Sequence, residues 1–223
     1  MKVDSEAKYV PPALRAGYVD KQSRETSGTS HEDEFSDEEL TRLFDTPELC
    51  TIVFFNHESM PPSLKDLISF IVVFDNAHPF WENKKEMWIH AASEQLIEDF
   101  NGSRKNFRRP IPLFEGKARK GNFIFKGWWF MDIRNVVQPY SERLKTMLMI
   151  KDKAQAYPWG ITKKSKNSAL ALRWLKLRLT PAKGPFEPLK ELAQGQAAEY
   201  VLRVGGLKEE LEIFKNNYKS EAH

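Results

Sequence analysis

Asn122-Phe123-Ile124-Phe125-Lys126-Gly127-Trp128-Trp129-Phe130-Met131-Asp132-Ile133 is the most strand-like run in this 223-residue chain. Aromatic and β-branched side chains suit a pleated, half-buried surface, so the run predicts two strand segments joined or bent at Gly127. A regular strand points Phe123, Phe125, Trp129 and Met131 one way and Ile124, Lys126, Trp128 and Phe130 the other. A bulge at Gly127 resets that register. Adjacent tryptophans take opposite faces. One therefore packs inward, and the other lies under a helix or sits in a groove. An uncovered indole, with Trp128 as the candidate, is a stacking platform for a base or a wall for a cation.

Working outward, Trp174-Leu175-Lys176-Leu177-Arg178-Leu179 alternates apolar and basic residues, which predicts a half-buried strand with Lys176 and Arg178 on one face. Ile111-Pro112-Leu113-Phe114 reads as a short strand, with Pro112 marking an edge or a bulge. Gly116-Lys117-Ala118-Arg119-Lys120-Gly121 between them is a basic hairpin tip; it lacks the Gly-Lys-Ser/Thr ending of a phosphate-binding loop. Upstream, Thr51 to Phe55 and Met87 to His90 read as strands. A helix is expected from a capping box at Ser36-Asp37-Glu38-Glu39, another over Ser63 to about Phe70, and a third capped by Ser93. Ile71 to Phe74 fits either helix or strand. Ser141 to Lys153, Leu189 to Arg203 and Leu207 to Asn216 complete the helical set. Strands and helices without regular β-α-β alternation predict an α+β fold: a small curved mixed or antiparallel sheet, or partial barrel, packed with helices.

Residues 1–35 are rich in Ser, Glu, Lys, Thr and Gly and read as an arm without fixed structure, followed by one domain over 36–216 and a tail at 217–223. No stretch approaches the roughly 20 apolar residues that span a bilayer, and Met1-Lys2-Val3-Asp4-Ser5-Glu6 has no apolar leader. With Cys50 as the only cysteine, a disulfide framework within the chain is excluded. The expected location is cytoplasmic or nuclear. The net charge of +3 conceals segregation. Eight acids face one base between His31 and Leu49, whereas eight bases face one acid between Gly102 and Lys126. Such blocks suit a polyanionic partner. The nucleic-acid candidates are Arg104, Lys105, Arg108, Arg109, Lys117, Arg119, Lys120, Lys126, Lys163, Lys164, Lys166, Lys176 and Arg178 around Trp128.

Metal and cofactor sites are not expected, because no H-E-x-x-H helix or Cys/His pair at zinc spacing exists. Asp75-Asn76-Ala77-His78-Pro79 is a turn by composition. Its functional reading is a carboxylate–histidine pair, in a pocket that adds His90 and Glu94. Tyr9-Val10-Pro11-Pro12-Ala13-Leu14-Arg15 is a stiffened island suited to docking as a peptide.

Two resemblances follow from these blocks. Thr51 to His57, Phe74 to Pro79, Pro110 to Phe114 and Phe125 to Trp129 resemble uncharacterised proteins of filamentous fungi that share a domain of unknown function, over about residues 36–185. That likeness implies a shared fold and no catalytic residues. Tyr9 to Arg15 resembles the N-terminal peptide of DEAD-box RNA helicases of translation initiation. It is also similar to peptides that dock on the cap-binding initiation factor, with Tyr9 and Leu14 as anchors. Ala13 and Arg15 depart from those patterns. The reading at this level is a non-enzymatic interaction module that binds single-stranded RNA or another polyanion through basic loops beside an aromatic sheet, with a protein partner for the arm. The alternatives are an enzyme around Asp75, His78 and His90, or a protein-binding scaffold without nucleic acid.

Overall fold

A computed structural model describes residues 34–46, 48–55, 64, 66–75, 77–117, 121–154, 163–184, 186, 189, 196–209, 211, 212 and 215. The arm's residues 1–33, with Tyr9 and Leu14, lie outside them, as do the Ser63 cap and the tail at 217–223.

The described residues begin with strand β1, Glu34–Ser36, which leads directly into helix α1, Asp37–Phe44. The capping box forms as the sequence predicts: Glu39 N–H donates to Ser36 Oγ at 3.1 Å, and Ser36 N–H donates to Glu39 Oε2 at 2.7 Å. On β1 Phe35 is buried opposite Phe123. The remaining strands are β2 Ile52–Phe54, β3 Ile68–Phe74, β4 Glu86–Ile89, β5 Ile111–Gly116, β6 Asn122–Val137 and β7 Trp174–Pro181. Helices α2 Trp81–Lys84, α3 Ser93–Asn101, α4 Glu142–Ala154, α5 Lys163–Leu170 and α6 Gln196–Val204 complete the described elements.

The strands form one mixed sheet in the order β2-β3-β5-β6-β7-β4, with β1 also paired to β6. Only β3 and β5 run parallel; the other neighbours are antiparallel. The sheet curls into a half-barrel. Its inner face is one cluster built from every strand of the path, from Ile52 on β2 to Met87 and Ile89 on β4, and filled by Trp81, Leu96 and Phe107. The outer face is covered in two places. Over β2, β3, β5 and the first half of β6 lie α1 and α6, with Phe44, Phe70, Phe114, Trp128 and Tyr200 between the layers. Over β4 and the start of β7 lies α4, packing Leu144, Met147 and Leu148 on Trp88, Val137 and Trp174.

The fold class is therefore the expected α+β half-barrel, but two local readings change and a third is decided. The helix expected over Ser63 to Phe70 is overturned from Ile68 onward, where β3 begins. Ile68, Ile71 and Val73 face inward while Phe70 and Val72 face outward, and a strand buried on both sides loses the alternation that would mark it. Ser93 is not an N-cap: the cap position is Ala92, in a left-handed conformation with no side-chain bond. Pro112 lies on the interior strand β5 and not at an edge. It sits where the β5–β6 register shifts, the bulge that was the other expectation.

Candidate functional site

The register of β5 against β6 explains what became of the two tryptophans. Phe114 pairs with Phe125 and Pro112 with Trp128, so β6 carries one extra residue around Gly127, whose φ of +87° is open to glycine at little cost. Trp129 Nε1 closes the bulge by donating to Lys126 O at 2.9 Å. Beyond it Trp128 turns outward, stacking on Phe186 with centroids 5.3 Å apart and meeting Tyr200 edge-on. Trp129 turns inward against Trp81. The expectation of an uncovered Trp128 is thus corrected. Both indoles are buried, because helices cover this sheet on both faces at that height.

The exposed ring is Phe130, two residues on, at 39 % accessibility. It shares the outer face with Trp128 but lies past the cover of α6 and short of the cover of α4. On β7 its direct partner is Thr180, and Arg178 sits opposite Asp132, so Arg178 is a diagonal neighbour of the ring, about 7–8 Å away between Cα atoms. Arg178 and Thr180 are exposed. Lys176 shares this face, as the alternation predicted, but its ammonium is held by Glu86 at 2.8 Å. Arg134 lies 3.9 Å from Asp132. The result is an open window of sheet with one aromatic ring and one exposed guanidinium. Sequence grouped Phe130 with Trp128; nothing local told where the overlying helix stops.

The other cations are dispersed. Arg104 to Arg109 precede β5 and Lys117 follows it, so the two groups sit about 20 Å apart at opposite ends of a six-residue strand. Arg108 and Lys117 are exposed, Arg104 lies over the Phe100 ring at 4.3 Å, and Lys126 is ion-paired with Glu115 at 3.3 Å. Lys105 is half-buried, and its backbone N–H donates to Asp99 Oδ1. Arg109 is corrected outright. It is fully buried, donating through Nη2 to Ile68 O and to Asn106 Oδ1. Burial brings its guanidinium down to about 10 against the opposing pull of Asp99. A guanidinium enclosed in this way is a stitch between elements and has no access to phosphate. Arg119 and Lys120 lie outside the described residues; Lys163, Lys164 and Lys166 fall on α5, their side chains likewise outside them.

The rival constellation forms only in part. Asp75 is exposed at the end of β3, and no hydrogen bond joins it to His78; Glu94 is engaged by Arg173 at 2.6 Å. His78 is buried, and its Nδ1 accepts the Trp88 backbone N–H at 3.2 Å. His90 does come into the same neighbourhood, its ring 4.8 Å from Trp174. Joining them is a residue that sequence reading missed, Lys151 of α4, with its Nζ 5.3 Å from the Trp174 centroid. It stands at the i+7 position of the Leu144–Met147–Leu148 face, where a lysine on an apolar stripe was the available signal. Burial lowers the Lys151 amine to about 8. Burial, with the nearby Lys151 charge second, lowers His78 to about 3 and also moves His90 downward. Among the described residues no group of three or more His, Cys, Asp or Glu is placed to hold a metal ion, and no helix is long and apolar enough to cross a membrane. No family model, curated protein or solved structure matches the chain.

Proposed function

We propose that this chain is a non-enzymatic interaction module that binds single-stranded RNA on the open outer window of β6 and β7, with a base stacked on Phe130 and Arg178 on the adjacent phosphate. The supporting observation is the solvent-exposed ring on an uncovered sheet face, diagonal to an exposed guanidinium. Stacking tolerates any base and contributes about 1–3 kcal/mol for each, while Arg178 and the outlying Arg108 and Lys117 supply sequence-independent attraction. The acids at Glu86 and Asp132 limit that attraction, so affinity rests more on the ring than on charge. Cytoplasm or nucleus is the location such a ligand implies. In the same reading Tyr9 and Leu14 anchor a protein partner as a short linear peptide.

Filter binding of a single-stranded oligonucleotide at two salt concentrations tests the proposal. Phe130→Ala is expected to weaken binding by about 5- to 150-fold, the equivalent of about 1–3 kcal/mol. Arg178→Ala should reduce the salt slope by about 1. Trp128→Phe, which alters only a buried contact, leaves affinity unchanged. Equal affinity for wild type and Phe130→Ala, or binding indifferent to salt, overturns it.

A further inference from the structure

Under α4, away from the Phe130 window, several hydrogen-bond donors gather without acceptors. Trp88 and His78 are both more than nine-tenths buried. The Trp88 indole Nε1–H has no partner, and neither has His78 Nε2. The tautomer of His78 follows from its other nitrogen. Nδ1 accepts the Trp88 backbone N–H, so in the neutral ring the proton resides on Nε2, and that atom is a donor. Lys151 adds an ammonium that is half-buried on the face of Trp174. His90, the exposed member, borders Trp174 and opens the cluster toward solvent. Burying donors without acceptors is costly. Glu86, two residues before Trp88 on β4, is an acid beside the cluster, its Oε2 2.8 Å from the ammonium of Lys176, the residue opposite Trp88.

We propose that this cluster is a binding site for a small oxyanion group, a phosphate or a carboxylate. Lys151 supplies the counter-charge, and the Trp88 and His78 N–H groups supply directed hydrogen bonds. One oxyanion can accept from both buried donors and neutralise the lysine. The neutral state of His78 also matters, because a protonated ring would have to surrender its bond to the strand backbone. The Trp174 ring lies against the ammonium and shields it from water, which strengthens its pull on an anion.

The test uses the full chain labelled with nitrogen-15, titrated separately with inorganic phosphate and sodium acetate, and with sodium chloride at matched ionic strength. The Trp88 indole N–H signal is expected to shift saturably with phosphate or acetate and not with chloride; the tighter of the two names the oxyanion. Lys151→Met is expected to weaken that binding at least tenfold while preserving the circular dichroism spectrum. Should that variant fail to fold, the wild-type chain bearing carbon-13 dimethyl groups on its lysines gives an independent readout. The bound anion raises the titration midpoint of Lys151, because a neighbouring negative charge favours the ammonium. An indole signal that responds to chloride as to phosphate and acetate, or a Lys151 midpoint unmoved at saturating anion, overturns the proposal.

Discussion

His78 links chemistry to stability at a single ring. Its Nδ1 must stay unprotonated to accept from Trp88, and burial lowers its pKa from about 6.5 to about 3. Between those values the unfolded chain takes up a proton that the folded chain refuses. The His78 contribution to stability is therefore level above about pH 7 and falls as the solution is acidified. The slope approaches about 1.4 kcal/mol per pH unit, and the loss is roughly 2 kcal/mol by pH 5. Lys151 does not alter this window, because its amine is charged in both states below about pH 8. Urea midpoints at pH 7 and pH 5 check the point against His78→Asn, whose amide oxygen takes the place of Nδ1 and does not titrate. Wild type should lose about 2 kcal/mol more than the variant over that interval; equal losses refute the account. The sequence announced a turn at Asp75 to Pro79, and the turn is there. It held no sign that His78 would be enclosed, because its nitrogen is taken by the backbone of β4, ten residues on, and that pairing is set by the assembled sheet.

At the level of elements, β6 carries most of the information. Its composition was legible, and so was the bend at Gly127. Which way Trp128 and Trp129 would face was not, since a one-residue bulge exchanges the two sides of a strand. A residue other than glycine at φ +87° is strained, and a Cβ there would meet nothing within 4 Å. The cost of Gly127→Ala is therefore conformational alone, about 1–2 kcal/mol. Chemical denaturation should show that loss, and a smaller one for Gly127→Asn, which tolerates positive φ better. An alanine variant as stable as wild type would mean the bulge relaxes. Ile68 to Phe70 of β3 read as helix, and Ile71 to Phe74 as either, for the opposite reason: both faces of the strand are covered, so period 2 vanishes from the pattern.

For the whole molecule, class and curvature could be read from the order of strand-like and helix-like segments. Neighbour relations could not. β3 pairs in parallel with β5 only because α2, β4 and α3 intervene, and β4 itself travels to the far side of the sheet beside β7. Such pairings are decided by which faces find cover, a property of the assembled layers and not of any window of residues. The same holds for the cations: the described ones are clustered along the chain yet spread over the surface, and Arg178 stands beside the exposed Phe130 ring. A half-barrel also leaves two rims, β2 and β4, both short. On β4 one outward backbone donor is stoppered by a titratable imidazole. Below about pH 3 protonation withdraws that stopper, leaving the backbone donor bare for a second chain to pair with. Light scattering should rise in wild type at pH 3 and stay flat in His78→Asn, so sourness would act on this protein as a trigger for chain-to-chain stitching.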